Sequence, residues 1–137
     1  MIGRIVCCLV ALLCGCATSP VPYSQAKSVP VHRIAASELT QPFDGAGRLS
    51  VSRDSGLMGA ACSFSVYLDG KLVASLIGSE KIDMYVQPGE HTLGAAPNGI
   101  CGGGTAETSA AVTASQWRRF RISSGQDGTI ALSPTAF

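Results

Sequence analysis

After the first third of the chain, apolar and polar residues alternate along short segments that end at turn signals. In residues 48–53, Leu49 and Val51 share one face, and the other face carries Arg48, Ser50 and Ser52. A period of two is typical of β-strands, because successive side chains point to opposite faces. Asp69-Gly70 separates two such segments, and this pair favours a type I′ hairpin turn, which needs positive φ at both positions. The alternation therefore predicts strands joined by tight turns.

These segments recur at intervals of about 8–12 residues, which is typical of a sandwich. We predict an all-β domain over residues 47–137, built as a small immunoglobulin-like β-sandwich of about seven or eight short antiparallel strands. The predicted strands cover residues 48–53, 63–68, 71–76, 82–86, 91–95, 105–113, 119–122 and 129–132.

The first fifteen residues have the pattern of an export signal. Residues 1–4 carry a positive charge, and residues 5–13 form an uninterrupted apolar run. A membrane-spanning helix needs about 20 apolar residues, so this run is too short to span and fits the apolar region of a secretory signal peptide. Residues 1–15 are therefore predicted to be a signal peptide.

The sequence Leu13-Cys14-Gly15-Cys16 resembles the lipobox of bacterial lipoproteins. The resemblance implies cleavage before Cys16, a diacylglyceryl group on its thiol and an acyl chain such as palmitate on its new amine. Two or more chains anchor a protein stably. Position 17 is Ala, and the absence of Asp there implies the outer membrane, with the domain facing the periplasm. The alternative is an ordinary secretory signal without lipid.

Residues 16–46 are predicted to connect the lipidated Cys16 to the domain. Residues 17–31 contain three prolines and little periodicity, which favours an extended tether. Residues 32–41 fit either a short helical turn or a strand entry.

Two cysteines, Cys62 and Cys101, remain in the predicted domain. In an oxidising compartment a disulfide between them is expected. It would close a loop of about 40 residues, worth roughly 4 kcal/mol in the chain-entropy model. The alternative is a reactive Cys101 thiol with His91 as its base.

Two segments of the alternating region, residues 66–76 and 84–93, resemble a PEGA-type pattern. The first contains Asp69-Gly70-Lys71 between two strands, and the second contains a Pro-Gly turn before a short strand. The chain is also similar, over about residues 48–124, to the DUF2846 class of bacterial lipoproteins. The resemblance implies an envelope sandwich used as an accessory or interaction module, and it transfers no catalytic residues.

Aromatic and basic residues suggest a possible binding surface. Trp117 stands beside the densest basic group, formed by Arg118, Arg119 and Arg121. This group fits a docking patch for anionic headgroups or an acidic partner, or else a solvated strand face.

Two tyrosines, Tyr67 and Tyr85, alternate with aliphatic neighbours. They fit a glycan-stacking or protein-contact surface, or else simple exposure.

Other functional classes find little support. Without residues 1–15 the chain has nine basic and nine acidic side chains, so nucleic-acid binding is not expected. His32 and His91 are far apart with no ligand pair beside them, so no metal or other cofactor is expected.

We expect a non-enzymatic lipoprotein held in the membrane by its N-terminal lipid. Its sandwich would bind or scaffold another envelope protein or component. The alternative is a receptor domain for a glycan or lipid.

Overall fold

The alternating segments form strands that pair into two sheets. The computed structural model describes residues 18–56, 60–98, 101 and 103–137, so the predicted signal peptide and Cys16 lie outside the described residues. The strands are β1 Lys27–Ser28, β2 Gly47–Arg53, β3 Phe64–Leu68, β4 Lys71–Leu76, β5 Glu80–Val86, β6 Gly89–Pro97, β7 Ala106–Val112, β8 Trp117–Ser124 and β9 Ile130–Pro134.

The strands form a β-sandwich, as predicted. One sheet has five strands in the order β1-β5-β2-β8-β9, and the other has four in the order β4-β3-β6-β7. Most neighbours are antiparallel, but β2 pairs with β8 in parallel, with Val51 opposite Phe120, and β1 pairs with β5 in parallel. The antiparallel expectation therefore does not extend to these two pairs. Between β2 and β8 the chain forms β3, β4, β6 and β7 of the other sheet and β5 of the same sheet. This long connection provides the crossover that parallel strands need.

The core consists of the aliphatic and aromatic residues between the sheets. Leu49, Met84 and Phe120 of the five-stranded sheet face Val66 and Leu93 of the other, and each is 0 % exposed. Burying a side chain of this size contributes about 1.5–3 kcal/mol. The period of two seen in the sequence therefore sorts residues between core and surface.

One arginine breaks that alternation. Arg53 occupies a core-facing position of β2, where it is buried. Its guanidinium donates to the carbonyl oxygens of Cys62 and Leu76 and lies 4.3 Å from the ring centre of Phe64. Burial lowers the pKa of Arg53, and the nearby Glu80 carboxylate partly opposes this. These contacts let a charged group lie between the two sheets.

The Asp69-Gly70 hairpin and the disulfide agree with the sequence predictions. Asp69 and Gly70 have φ of 50° and 80°, as a type I′ turn requires. Cys62 and Cys101 form a disulfide with their Cα atoms 6.1 Å apart. This excludes the alternative of a free Cys101 thiol.

Residues 18–46, predicted as a tether, lie against the sandwich. Ala26, Val29 and Ala36 are buried, and β1 pairs with β5. The undecided segment over residues 32–41 contains two short 3₁₀ turns, Val31–Arg33 and Ser37–Thr40. The prolines allow an extended path, but side-chain and backbone contacts fix that path onto the domain.

Within the ranges that the structure describes, no helix has the length and apolar character needed to cross a membrane.

Candidate functional site

The predicted basic and aromatic group lies on β8, but its side chains diverge. Trp117, Arg119 and Arg121 lie on the outer face of the five-stranded sheet, on the side opposite to buried Phe120. Arg118 instead donates to the Ala111 carbonyl oxygen of β7, at 2.9 Å. The structure therefore brings together part of the predicted patch.

A row of alternating cations and rings crosses this outer face. Lys81 Nζ lies 3.5 Å from the ring centre of Tyr23. Arg48 lies 5.5 Å from Tyr23 and 4.3 Å from Trp117, and Arg119 lies 4.8 Å from Trp117. The two rings meet edge to face at 4.8 Å. We call these five residues the cation–ring row; each contact within about 6 Å is attractive.

Asp83 on β5 is the carboxylate that binds two members of the cation–ring row, Tyr23 and Arg48. It accepts hydrogen bonds from the Tyr23 hydroxyl at 2.6 Å, from Arg48 Nη2 at 3.0 Å and from the Ser50 hydroxyl. Burial raises the pKa of Asp83, but the hydrogen bonds from Ser50, Tyr23 and Arg48 outweigh it and hold the pKa below the usual value. Trp117 Nε1 donates to Ser50 Oγ at 2.7 Å. Asp83 is therefore ionised and fully engaged within the chain at neutral pH.

Tyr23 ties the N-terminal segment to this face. Its backbone carbonyl accepts a hydrogen bond from Lys81 Nζ at 2.7 Å. Burial, together with the hydrogen bond to Asp83, raises the pKa of Tyr23 to about 12. The phenol thus stays neutral and keeps donating to Asp83 over the physiological range.

A second contact holds the start of the described chain. Thr18 Oγ1 donates to Asp54 at 3.1 Å and accepts from the Ser124 backbone N–H at 3.0 Å. The Asp54 side chain is 1 % exposed and lies 3.3 Å from Arg121. Burial raises the pKa of Asp54, while Arg121 and Thr18 oppose the rise. Arg121 is thus paired inside the domain.

Two of the four residues of the predicted patch therefore help to hold the chain's own N-terminal segment: Trp117 contacts Tyr23, and Arg121 pairs with the Asp54 carboxylate that binds Thr18. Arg48 and Arg121 are neutralised by Asp83 and Asp54. Among the described residues, Arg119 has no acidic partner, and its contact is the Trp117 ring.

The two predicted tyrosines lie on opposite sides of the sandwich. Tyr85 belongs to β5 of the five-stranded sheet, whereas Tyr67 belongs to β3 of the four-stranded sheet. Both are partly exposed and point away from the core. They cannot form one surface, since the core separates them.

Tyr67 lines a groove that the sequence analysis missed. The register places Tyr67, Gly94 and Glu107 side by side on β3, β6 and β7. Small residues on β6 form the floor, and a cavity of about 280 Å³ opens above them. We call this the β6 groove; it is lined by Tyr67, Gly70, Thr92, Gly94, Ala96, Thr105 and Glu107.

The only sequence signal for the groove is a run of small residues at alternate positions of β6: Thr92, Gly94 and Ala96. It becomes meaningful only once the neighbours across the sheet are known.

No family model matches this chain. Comparison with curated proteins and with solved structures gives no match either. The candidate sites are therefore interpreted from their own chemistry.

The two histidines do not form a metal centre. His91 bonds to the Asp69 carboxylate and to the Gln87 carbonyl oxygen, both at 2.7 Å, and His32 is exposed. No cluster of three or more His, Cys, Asp or Glu side chains suited to a metal ion occurs in the described ranges.

Proposed function

We propose that this protein is a non-enzymatic binding module of the bacterial envelope, anchored to the outer membrane by lipid on Cys16 and facing the periplasm. The export signal of residues 1–15 and the lipobox resemblance support the anchor. The Cys62–Cys101 disulfide is compatible with an oxidising compartment. The Asp69-Gly70-Lys71 and Pro-Gly turn motifs support the further proposal that the domain belongs to a PEGA-type or DUF2846-like class.

The observation that carries the anchored arrangement is the docking of Thr18. Thr18 stands two positions after Cys16 and is hydrogen-bonded to Asp54 and Ser124. Two residues span at most about 7 Å. A lipid on Cys16 would therefore hold the Ser124 end of the sandwich close to the headgroups.

The same attachment would orient the domain. β8 runs from Trp117 to Ser124, and seven strand steps cover about 23 Å. The Trp117 end of the cation–ring row would then face away from the bilayer, toward other envelope components.

The binding role rests on a surface left uncovered by the chain. The cation–ring row holds residues of the N-terminal segment, whereas the β6 groove lies open on the other sheet. Grooves that combine an aromatic ring with a few polar groups are typical of ligand sites. The open groove therefore favours a receptor domain that binds a glycan over a scaffold that binds a partner through the Trp117 face.

The anchor is tested by intact mass and membrane fractionation of the full chain and two variants. Cys16→Ala should remain unlipidated and leave the membrane fraction or accumulate as a precursor. Cys14→Ala is the matched control, because it keeps a small residue within the lipobox and should be processed normally. An unlipidated native mass, or full membrane retention of Cys16→Ala, would overturn the anchor.

A further inference from the structure

The β6 groove has a gap where a side chain is missing between two larger ones. A Cβ placed on Gly94 would lie 3.4 Å from Tyr67 Cβ and 3.9 Å from Glu107 Cγ. Adjacent strands lie about 4.8 Å apart, so the backbones that carry Tyr67 and Glu107 are about 10 Å apart. Gly94 therefore forms the floor of a slot between a ring and a carboxylate.

The chemistry of the walls differs from side to side. Tyr67 offers a ring edge or face and a phenol, and Glu107 offers a carboxylate on an exposed residue. The hydroxyls of Thr92 and Thr105 supply further donors and acceptors along the slot.

The charge of the slot is negative. Its lining contains Glu107 and no Lys, Arg or His, and Glu107 has no ion-pair partner among the described residues. An anionic ligand would be repelled here, whereas an ammonium group would meet both a carboxylate and an aromatic ring.

We propose that the β6 groove binds a sugar unit that carries a free ammonium group. The ammonium group contacts Glu107, the sugar ring lies over Gly94 against Tyr67, and the sugar hydroxyls bond to Thr92 and Thr105. A sugar is favoured over a bare ammonium ion because hydroxyl groups and a ring line the same slot. This inference deepens the proposed binding function and is independent of the lipid on Cys16.

The test is a titration of the full-chain protein, purified with detergent, by amide ¹H–¹⁵N NMR. The probes are glucosamine and glucose, which differ at one position by an ammonium group in place of a hydroxyl. Glucosamine should shift the amides of Thr92, Gly94 and Glu107 and bind about fivefold more tightly than glucose, as expected for an exposed ion pair.

Two variants separate charge from shape. Glu107→Gln should abolish the preference for glucosamine. Its matched control Glu90→Gln should keep the preference, because Glu90 is an exposed carboxylate on the neighbouring strand β6 and does not line the groove. Gly94→Val fills the slot and should block both sugars. Its backbone does not need positive φ and its new Cβ makes ordinary contacts, so the fold should survive.

Three results would overturn the inference: no shifts at the groove, an unchanged preference in Glu107→Gln, or equal binding of lysine. Equal binding of lysine would mean that the groove recognises an ammonium group on a protein side chain rather than a sugar. Because binding is measured on whatever mature form the cell produces, failure here is distinguishable from failure of lipidation.

Discussion

Asp83→Asn tests how the N-terminal segment is held on the five-stranded sheet. The substitution keeps the size of the side chain but removes its charge, and the new NH₂ group must face Tyr23, Arg48 or Ser50, which all donate to Asp83. A hydrogen bond to a charged group contributes about 1.5–3 kcal/mol. Since the Asp83 side chain is 26 % exposed, we expect the free energy of unfolding to fall by about 2 kcal/mol near neutral pH.

The loss of stability in Asp83→Asn should also depend on pH. Although burial raises the pKa of Asp83, the hydrogen bonds it accepts bring the pKa below its usual value. The folded protein therefore releases this proton more readily than the unfolded chain. The stabilisation is present above the unfolded pKa of about 3.9 and is lost as pH falls through the folded pKa. The difference between native protein and variant should accordingly shrink in acid.

The assay is urea unfolding at a series of pH values, followed by the fluorescence of Trp117, the single tryptophan. Asp44→Asn is the control, because Asp44 is exposed and should unfold like the native protein at every pH. Asp83 does not hold the segment in this way if the free energy of unfolding of Asp83→Asn lies within about 0.5 kcal/mol of the native value at neutral pH. The same conclusion follows if the difference in free energy between the two proteins stays constant as the pH is lowered.

Three further changes probe the packing and charges of the sandwich. Replacing Cys62 and Cys101 together by serine should lower the free energy of unfolding by about 4 kcal/mol, measured in urea, because a loop of about 40 residues is released. Gly47→Ala should cost about 1–3 kcal/mol in thermal melts, since its Cβ would overlap a valine side chain of β7. Burial lowers the pKa of His91, but its bonds to Asp69 and a backbone carbonyl raise it overall; Asp69→Asn should therefore lower that pKa in an NMR titration.

Each of these predictions has its own control or opposite result. Gly104→Ala places its Cβ in open space and should leave the melting temperature unchanged. Because the pKa of His91 is raised on folding, its interactions stabilise the folded protein fully at pH values below the unfolded pKa of about 6.5. This stabilisation is lost as the pH rises through the folded pKa. A His91 titration that Asp69→Asn does not move, or a serine double variant as stable as the native protein, would contradict the corresponding argument.

The strands were predictable because one face of each is buried. Lys71–Leu76 has the predicted bounds, and Ala106–Val112 differs from its prediction by one residue at each end. Apolar residues that recur at every second position indicate directly that one face of the strand is buried. The parallel pairing of β2 with β8 was not predictable, because strand order depends on contacts between segments far apart in the chain.

The candidate sites depend on that strand order, which is why the sequence analysis reached them only in part. Trp117 and Arg119 were recognised as neighbours because they are close in sequence. Tyr67 was recognised without Gly94 and Glu107, which join it only through the register of three strands.

The N-terminal segment shows most clearly how tertiary contacts override local composition. Prolines favour an extended chain, and residues 18–26 fit a spacer by composition alone. The partners that hold Tyr23 come from β2 and β5, whereas Thr18 is held by Asp54 and Ser124. If Cys16 carries the lipid, the spacer has one residue, and the β6 groove stays at a fixed height above the bilayer. A sugar bound there would then have to belong to a component that itself lies near the membrane surface.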